Sequence, residues 1–535
     1  MRAVPLLRPL PRHYPKGCMS IMKSTLIAAW QFLLVQLRSL SIIPEREPSD
    51  FPFAESDIAQ LHRLRSDPGA ASLDDATWKD LMLDTYHATL SKEVSIFGQQ
   101  ALYQRMRAGR RDDDSMASVK GLMQDRAKLE DLHGTCKSLR HATREIATLL
   151  YQDPVPATPW WAGTTWLLTL LLAASVLGAA WSPLSWIGAG IALYYLITTQ
   201  TMHWDRMEAW QRSMLSVQML LRVTTLLGGA DAQQASKLNR SMTRMPDFFP
   251  GMRAYMDWFM LANVNHYYKS VGLVRHNLTF VRQCFERVSN LEADTALARH
   301  LLRVPFFCRA SVSPGPIDLR DMYHPLLEKA QPLTIRLAGK GAFLSGQNGI
   351  GKSTLLRTVG LNLVAARAFG FCYAAQACVP DVPVYASMQS EDSLMDGESL
   401  YMAELRRAKE LLASANGPHP GVCIIDEIFR GTNHMESISA AASVLNLLAA
   451  RNTVFVSSHN LMLAPLLAHR LEPLCVAKGT DGLLILAPGI LAHTNGIALL
   501  SSHGFGGEVE ANAARVFDWL STYLADPVDC SGVLA

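Results

Sequence analysis

The longest apolar stretch of the chain runs from Pro154 to Trp204 and contains no Asp, Glu, Lys or Arg. Within it, Trp161–Trp181 and Ser185–Thr201 are apolar runs separated by the sequence SPL. The first run has the length of about 20 residues that a helix needs to cross a bilayer core, and the second lies within the spanning range. Tryptophans stand near the ends of both runs, where the membrane interface favours them. The pattern predicts a transmembrane helical hairpin over residues 156–204.

The charges on either side of the hairpin predict its orientation. Arg140 and Arg144 precede the first run, Arg206 and Arg212 follow the second, and the turn between the runs is uncharged. The positive-inside rule then puts both long soluble parts on the cytoplasmic side of a membrane, with the lipid bilayer as a partner. A buried hairpin in a soluble core is the alternative, but core helices seldom lack a polar face over such a length.

Outside the hairpin the periodicity of apolar positions divides the chain further. Residues 49–155 and 205–315 have the spacing of helices, the second range being a helical core or lever region. Over residues 316–525 short apolar runs alternate with helical patterns, which predicts an α/β domain with a mainly parallel sheet. Residues 1–48 favour an amphipathic helix over a third span, and residues 526–535 form a tail.

Composition narrows the range of partners only slightly. The 535 residues include 50 Lys and Arg against 47 Asp and Glu, a net charge of +3, so there is no global attraction to nucleic acid. The nine cysteines have no paired spacing, which indicates free thiols rather than a disulfide framework or a zinc site.

The sequence GQNGIGKS fits the phosphate-loop pattern G-x-x-x-x-G-K-[ST], between a predicted strand and a predicted helix. Its glycines allow backbone N–H groups to surround phosphate oxygens, Lys352 can reach the terminal phosphates, and the Ser353 hydroxyl can bind Mg²⁺. The predicted nucleotide-binding residues are Gly346, Gln347, Asn348, Gly349, Ile350, Gly351, Lys352, Ser353 and Thr354.

Two later strands carry the residues that a P-loop ATPase needs. The apolar run GVCIID ends at Asp426, where such enzymes hold Mg²⁺, and Glu427 follows as the predicted general base. The run TVFVSSHN ends near His459, which we predict to sense the γ-phosphate, although a single histidine after a strand is more often structural. The predicted fold class is therefore an α/β P-loop NTPase domain preceded by an all-α region that the transmembrane hairpin interrupts.

These motifs together resemble the ATPase domain of the MutS family of DNA mismatch repair proteins. The resemblance covers residues 316–525 and is carried by SGQNGIGKSTLLRTVGLN, DGESLYMAELRRAKELL, DEIFRGTN, VFVSSHN and NGIALLSSHGFGGEVEANAARVFDWL. It implies ATP and Mg²⁺ as cofactors and a homodimer in which each site is completed by the other subunit. By position, it implies that Ser399 approaches the partner's γ-phosphate and that Thr432 lies at the dimer seam.

The chain also departs from the family pattern. Phe53–Glu55 matches the letters of the family's Phe-x-Glu wedge, but its Pro-rich, acidic surroundings indicate a coincidence and no mismatch-reading domain. The hairpin falls where the family inserts its DNA-gripping clamp. Between His324 and the phosphate loop the chain lacks the longer segment that supplies an aromatic stack for adenine, so adenine selectivity is not predicted.

Three functions fit these features. The first is a membrane-anchored MutS-like ATPase whose composite dimer site drives conformational change, with DNA as a further ligand. The second is a mismatched or branched DNA-binding protein that uses ATP as a switch. The third is an ABC-type transport ATPase, which is disfavoured because no LSGGQ-like signature precedes Asp426.

Overall fold

The computed structural model describes most of the chain from residue 52 to residue 523. The described ranges are 52–66, 72–109, 113–152, 156–244, 252–314, 316–388, 400–415, 417, 420–480, 482–491 and 507–523. The predicted N-terminal segment 1–48 and the predicted tail 526–535 lie outside them.

The described part of the chain up to residue 301 is helical. Local sequence signals begin and end its helices: Asp74 and Ser95 accept hydrogen bonds from backbone N–H groups of the first helical turn, and Gly109 ends a helix at φ +51°. The helices are α1 (Glu55–Arg65), α2 (Asp75–Asp80), α3 (Leu83–Leu90), α4 (Ile96–Ala108), α5 (Asp113–Gln124), α6 (Arg126–Cys136), α7 (Ala147–Tyr151), α8 (Trp166–Gly178), α9 (Ser185–Leu227), α10 (Ala232–Met242), α11 (Met252–Phe259), α12 (Ala262–His276) and α13 (Leu278–Leu301).

The prediction of a transmembrane hairpin is wrong. Helix α8 has 13 residues and therefore spans about 20 Å, less than the roughly 30 Å of a bilayer core. Helix α9 has 43 residues, but it continues past the charge-free stretch into Asp205 and Arg206. Among the described residues, no helix combines the length and the apolar character that crossing a membrane demands. The predicted fold class is therefore corrected by removing the transmembrane hairpin. Without it there is no basis for the predicted integral membrane location, for its orientation or for the bilayer as a partner.

The helical region has its own core, in which α13 packs against α4. The rings of Phe97 and Phe285 are fully buried and meet edge to face, with centroids 5.8 Å apart. The buried Glu292 carboxylate on α13 accepts hydrogen bonds from the backbone N–H groups of Ser95 (3.3 Å) and Gly98 (3.2 Å) at the first turn of α4. Burial raises the pKa of Glu292 to about 7 in spite of these donors. The contact fixes the long helix to the start of α4.

The C-terminal part of the chain contains three sheets and five helices among its described residues. The elements are β1 (Cys308–Arg309), β2 (Ser311–Val312), β3 (Ile317–Met322), β4 (Leu333–Leu337), β5 (Gly341–Gly346), α14 (Lys352–Phe369), β6 (Phe371–Cys372), β7 (Gln376–Val379), β8 (Val384–Ser387), α15 (Leu400–Ala415), β9 (Val422–Asp426), α16 (His434–Ala449), β10 (Thr453–Ser457), α17 (Leu463–Leu466), β11 (Leu471–Lys478), β12 (Leu484–Pro488) and α18 (Gly507–Tyr523).

The largest sheet has the strand order β12-β11-β5-β10-β9-β8, in which β12 is antiparallel to its neighbour and the other pairs are parallel. A four-stranded mixed sheet has the order β2-β7-β3-β4, and β1 pairs with β6.

Helix α2, far away in sequence, covers the edge strand β8 of the large sheet. The Thr77 hydroxyl accepts a hydrogen bond from the backbone N–H of Ala386 (2.9 Å), and the Asp80 carboxylate accepts one from that of Met388 (2.8 Å). The Arg357 side chain on α14 donates to the Asp80 backbone carbonyl (3.1 Å). These bonds satisfy edge groups that would otherwise be open to another strand, and they join the helical region to the sheet.

Asp80 makes the stability of this junction depend on pH. Burial raises its pKa from 3.8 to about 6, against the opposing effects of the Met388 N–H, Arg407 and Arg357. Because the folded-state pKa lies above the unfolded-state pKa, the folded chain binds this proton more tightly, and stability falls as pH rises from about 4 to about 6. Asp80→Asn keeps an oxygen acceptor without the charge. We expect its free energy of unfolding, relative to that of the wild type, to be about 2 kcal/mol higher at pH 7 than at pH 4.5.

Urea unfolding of both proteins at the two pH values measures this difference. Glu55→Gln is the matched control, because Glu55 is exposed at the start of α1 and its replacement should leave the pH dependence of stability as in the wild type. An Asp80→Asn effect equal at both pH values would contradict the prediction.

Candidate nucleotide-binding site

The site lies at one edge of the large sheet, where three parallel strands end side by side. In the register of this sheet, Ser457 on β10 stands opposite Leu344 on β5 and opposite Asp426 on β9. Since the carboxyl ends of parallel strands face the same edge, the loops after β5, β9 and β10 meet there. The structure therefore brings the three predicted motifs together.

The loop between β5 and α14 has the backbone that its glycines allow. Gly349 and Gly351 have φ angles of +74° and +105°, in the region that favours glycine. A Cβ at Gly346 would lie 2.8 Å from the carbonyl oxygen of Val476, so this position has no room for a side chain. The turn leads directly into the first residue of α14, whose N-terminus attracts anions.

Lys352 begins α14, and its side chain folds back over the loop. Its Nζ donates hydrogen bonds to the carbonyl oxygens of Gly346 (3.0 Å) and Gln347 (3.2 Å). Burial lowers the pKa of Lys352, while the carboxylates of Asp426 and Glu427 act in the opposite direction. The ammonium group is thus held against the backbone of the loop, within the electrostatic influence of two acidic side chains.

Asp426 is buried at the end of β9, where the Ser457 hydroxyl donates a hydrogen bond to its carboxylate. This contact fixes the side chain at the sheet edge. Within the described ranges no three His, Cys, Asp or Glu side chains form a cluster able to hold a metal ion. A Mg²⁺ ion here would depend on the oxygen atoms of Ser353 and Asp426 together with phosphate and water, and Mg²⁺ prefers such oxygen ligands.

Glu427 follows Asp426 in an unusual backbone conformation. Its φ is +58°, its N–H donates to the Ser457 carbonyl (2.9 Å), and its side chain is only 11% exposed. Phe429 also has a positive φ, +57°, and its ring is buried near Tyr401. Two non-glycine residues in the left-handed region indicate that local packing and hydrogen bonds hold this loop in a strained conformation.

His459 and Arg430 both contact the Glu427 carboxylate. The distance from His459 Nε2 to Glu427 Oε1 is 2.7 Å, and that from Arg430 Nε to Glu427 Oε2 is 3.2 Å. Arg430 also lies 3.8 Å from the Glu404 carboxylate on α15. The sequence motifs predicted no role for Arg430 or for Ser457. Their places in DEIFRGTN and VFVSSHN were the only signal, because the contacts depend on folded loops.

The remaining predicted residues are less informative. Asn348 is exposed at the tip of the loop, and Thr354 is exposed in the first turn of α14. The Thr432 hydroxyl donates to the Glu436 carboxylate (2.7 Å) at the start of α16, and its place at a dimer seam stays a prediction. Ser399 lies outside the described residues.

A cavity of about 390 Å³ opens beside the phosphate loop. One wall consists of Gly349–Gly351 and the first turns of α14. Residues of the segment from Met322 to Leu333 and of the β11–β12 hairpin also line the cavity. Its volume is in the range of small-ligand sites, and its position next to the phosphate loop suits a nucleoside.

Comparison with known proteins agrees with this geometry. Residues 342–477 match the family model of MutS domain V, over β5 to β11. This part of the chain is MutS-like. The resemblance predicted from the motifs is confirmed for it, whereas the absence of a mismatch-reading domain stays a prediction.

Curated relatives match about a third of this chain and a small part of their own length. DNA mismatch repair protein MSH3 of Mycosarcoma maydis is 34% identical over 178 residues, 30% of this chain and 15% of the relative. DNA mismatch repair protein MutS of Thermus aquaticus is 28% identical over 208 residues, 37% of this chain and 25% of the relative. Endonuclease MutS2 of Thermus thermophilus is 32% identical over 199 residues, 36% of this chain and 24% of the relative. The chain thus spans a quarter or less of each of these relatives.

Proposed function

We propose that the MutS-like domain binds ATP with Mg²⁺ and hydrolyses it. The observation that carries this proposal is the meeting of three loops at one sheet edge, where Lys352, Asp426 and Glu427 influence each other electrostatically. A phosphate-binding loop, a buried carboxylate at a strand end and an adjacent second carboxylate are the parts that P-loop hydrolases share. Oxygen ligands suitable for Mg²⁺ stand beside them.

Each residue has a definite task in this proposal. The loop N–H groups and Lys352 bind the β- and γ-phosphates, and Ser353 and Asp426 would hold Mg²⁺, which neutralises developing charge on the phosphates. The Glu427 carboxylate accepts a proton from the attacking water. His459, 2.7 Å from that carboxylate, orients it. In this proposal His459 also senses the γ-phosphate. Arg430 must release Glu427 before the carboxylate can accept the proton, since the two form an ion pair.

A homodimer completes the site in this proposal, as the family resemblance implies. Ser399 and Thr432 of one copy would approach the nucleotide bound by the other copy. Closure and reopening of the pair would then move the helical region, which is joined to the sheet through Thr77 and Asp80. The names of the relatives make DNA the partner to test, and we expect weak or no discrimination of mismatches.

The purified full chain provides the test. We expect Mg²⁺-dependent release of phosphate from ATP in the absence of DNA, and loss of this activity in excess EDTA, because hydrolysis depends on the metal. Measurements with homoduplex, mismatched and branched DNA at physiological salt address the partner. Absence of hydrolysis by the dimer would refute the ATPase proposal, and tight mismatch-selective binding would contradict the expected weak discrimination of mismatches.

A further inference from the structure

Ser457 is a buried polar residue at the end of β10, an interior strand of the large sheet that lies between β5 and β9. The residues before it, Val454, Phe455 and Val456, are apolar and fully buried, and Ser457 is fully buried with them. A hydroxyl group in such surroundings loses its hydrogen bonds to water and needs a partner within the protein. Alanine would fill nearly the same space without this requirement, so packing alone does not account for the hydroxyl.

The partner of this hydroxyl is the Asp426 carboxylate. The two residues stand side by side in the parallel register of β10 and β9, and the Ser457 hydroxyl donates a hydrogen bond to Asp426 Oδ1. Hydrogen bonds to a charged acceptor are stronger than those between neutral groups. Among the residues that the structure describes, no second hydrogen bond to this carboxylate is present. The orientation of the Asp426 side chain therefore depends on Ser457.

Ser457 also holds the neighbouring Glu427, through its backbone. The Ser457 carbonyl accepts a hydrogen bond from the Glu427 N–H (2.9 Å), and the φ angle of Glu427 is +58°. A residue other than glycine keeps such a conformation only where its surroundings hold it. One serine thus contacts both acidic residues, Asp426 with its side chain and Glu427 with its main chain. Removing the hydroxyl separates the two contacts, because the carbonyl remains.

We infer that Ser457 is a positioning residue for metal binding, an inference that rests on the proposed ATPase function. Its hydroxyl orients the Asp426 carboxylate, which in that function would hold Mg²⁺ together with Ser353. Ser457 acts through Asp426, since its hydroxyl is already committed to that carboxylate. Partners behind a metal ligand fix the orientation of the ligand, and their loss typically weakens metal binding by about 10- to 100-fold.

Calorimetric titration of the full chain with adenosine 5′-(β,γ-imido)triphosphate, a non-hydrolysable ATP analogue, tests the inference in Mg²⁺ and in excess EDTA. We expect Ser457→Ala to raise the Kd about tenfold in Mg²⁺ and to leave binding in EDTA at the wild-type level, because only the metal-dependent contact uses Asp426. An unchanged Kd in Mg²⁺, or an equal rise in both solutions, would overturn the inference and leave the ATPase proposal intact. Failure of the wild type to bind the analogue in either solution would overturn both.

Two further variants connect the effect to this hydroxyl. Ser457→Thr keeps a hydroxyl on a side chain that suits a strand, so its Kd in Mg²⁺ should lie within about threefold of the wild-type value. Ser289→Ala also removes a buried hydroxyl, which donates to the Glu286 carbonyl (3.3 Å) within α13, and should leave the Kd unchanged in both solutions. A Kd of folded Ser457→Thr as high as that of Ser457→Ala, or an equal rise in Ser289→Ala, would contradict the proposed role of Ser457.

Discussion

Replacing Glu427 with glutamine is expected to lower kcat for ATP hydrolysis by about 10²- to 10⁴-fold, while ATP still binds. Glutamine has the size of glutamate but cannot accept the proton of the attacking water. The change also removes the negative partner of His459 and Arg430, which lie 2.7 Å and 3.2 Å from the carboxylate. Steady-state phosphate release measures hydrolysis and equilibrium titration measures ATP binding. Both measurements on the same preparation distinguish a loss of catalysis from a loss of binding.

Glu404→Gln is the matched control for this variant. Glu404 is the second carboxylate near Arg430, at 3.8 Å, and it accepts a hydrogen bond from the Gly431 N–H (3.3 Å). Its replacement removes a negative charge near the same arginine and leaves the proposed base unchanged. We therefore expect kcat to stay within about threefold of the wild-type value. If Glu427→Gln retained more than a tenth of the wild-type kcat, Glu427 would not be the general base.

Replacing Lys352 with alanine is expected to weaken ATP binding by about 10- to 100-fold, and hydrolysis should fall with it. The side chain supplies the charge-assisted hydrogen bonds to the terminal phosphates. It is buried over the loop, where it contacts the carbonyl oxygens of Gly346 and Gln347, so neighbouring lysines cannot replace it. Calorimetric titration with ATP measures the change.

Lys340→Ala provides the comparison for the lysine variant. Lys340 is exposed just before β5, and its Nζ donates to the Ala468 carbonyl (2.9 Å) outside the phosphate loop. Its loss removes one positive charge close to the same strand, yet the ATP Kd should stay at the wild-type value. Equal weakening by both substitutions would indicate a general electrostatic effect rather than a phosphate contact.

The sequence was sufficient for the parts of the site that depend on local backbone chemistry. The glycines of the loop fix its turn, as the positive φ angles of Gly349 and Gly351 show. The apolar runs that end at Asp426 and near His459 predict two strands. Because parallel strands present their carboxyl ends at one edge of a sheet, these two residues are expected at the same edge. Because these relations act over a few residues or through a repeating strand pattern, the motifs could be read before the fold was known.

The apolar stretch after Pro154 shows where a pattern of composition misleads. Hydropathy counts residues in a window and does not determine where a helix begins or ends. The structure begins α8 at Trp166, ends it at Gly178, and extends α9 through Asp205 and Arg206 to Leu227. The prediction of a transmembrane hairpin required a continuous helix that is both long and apolar. Only the folded chain shows how long and how apolar each helix is.

Tertiary structure alone decided the contacts between distant segments. Thr77 and Asp80 bind the edge of a strand more than 300 residues away, and Gln331 binds Leu484 across 153 positions. The ion pair of Arg430 with Glu427 is close in sequence, but it depends on a strained loop that no periodicity encodes. The sequence by itself determined which chemical groups this protein has and which strand ends carry them. Only the packing of helices against the sheet determined which groups meet, because side-chain hydrogen bonds and ion pairs act over a few ångströms and leave no spacing in the chain.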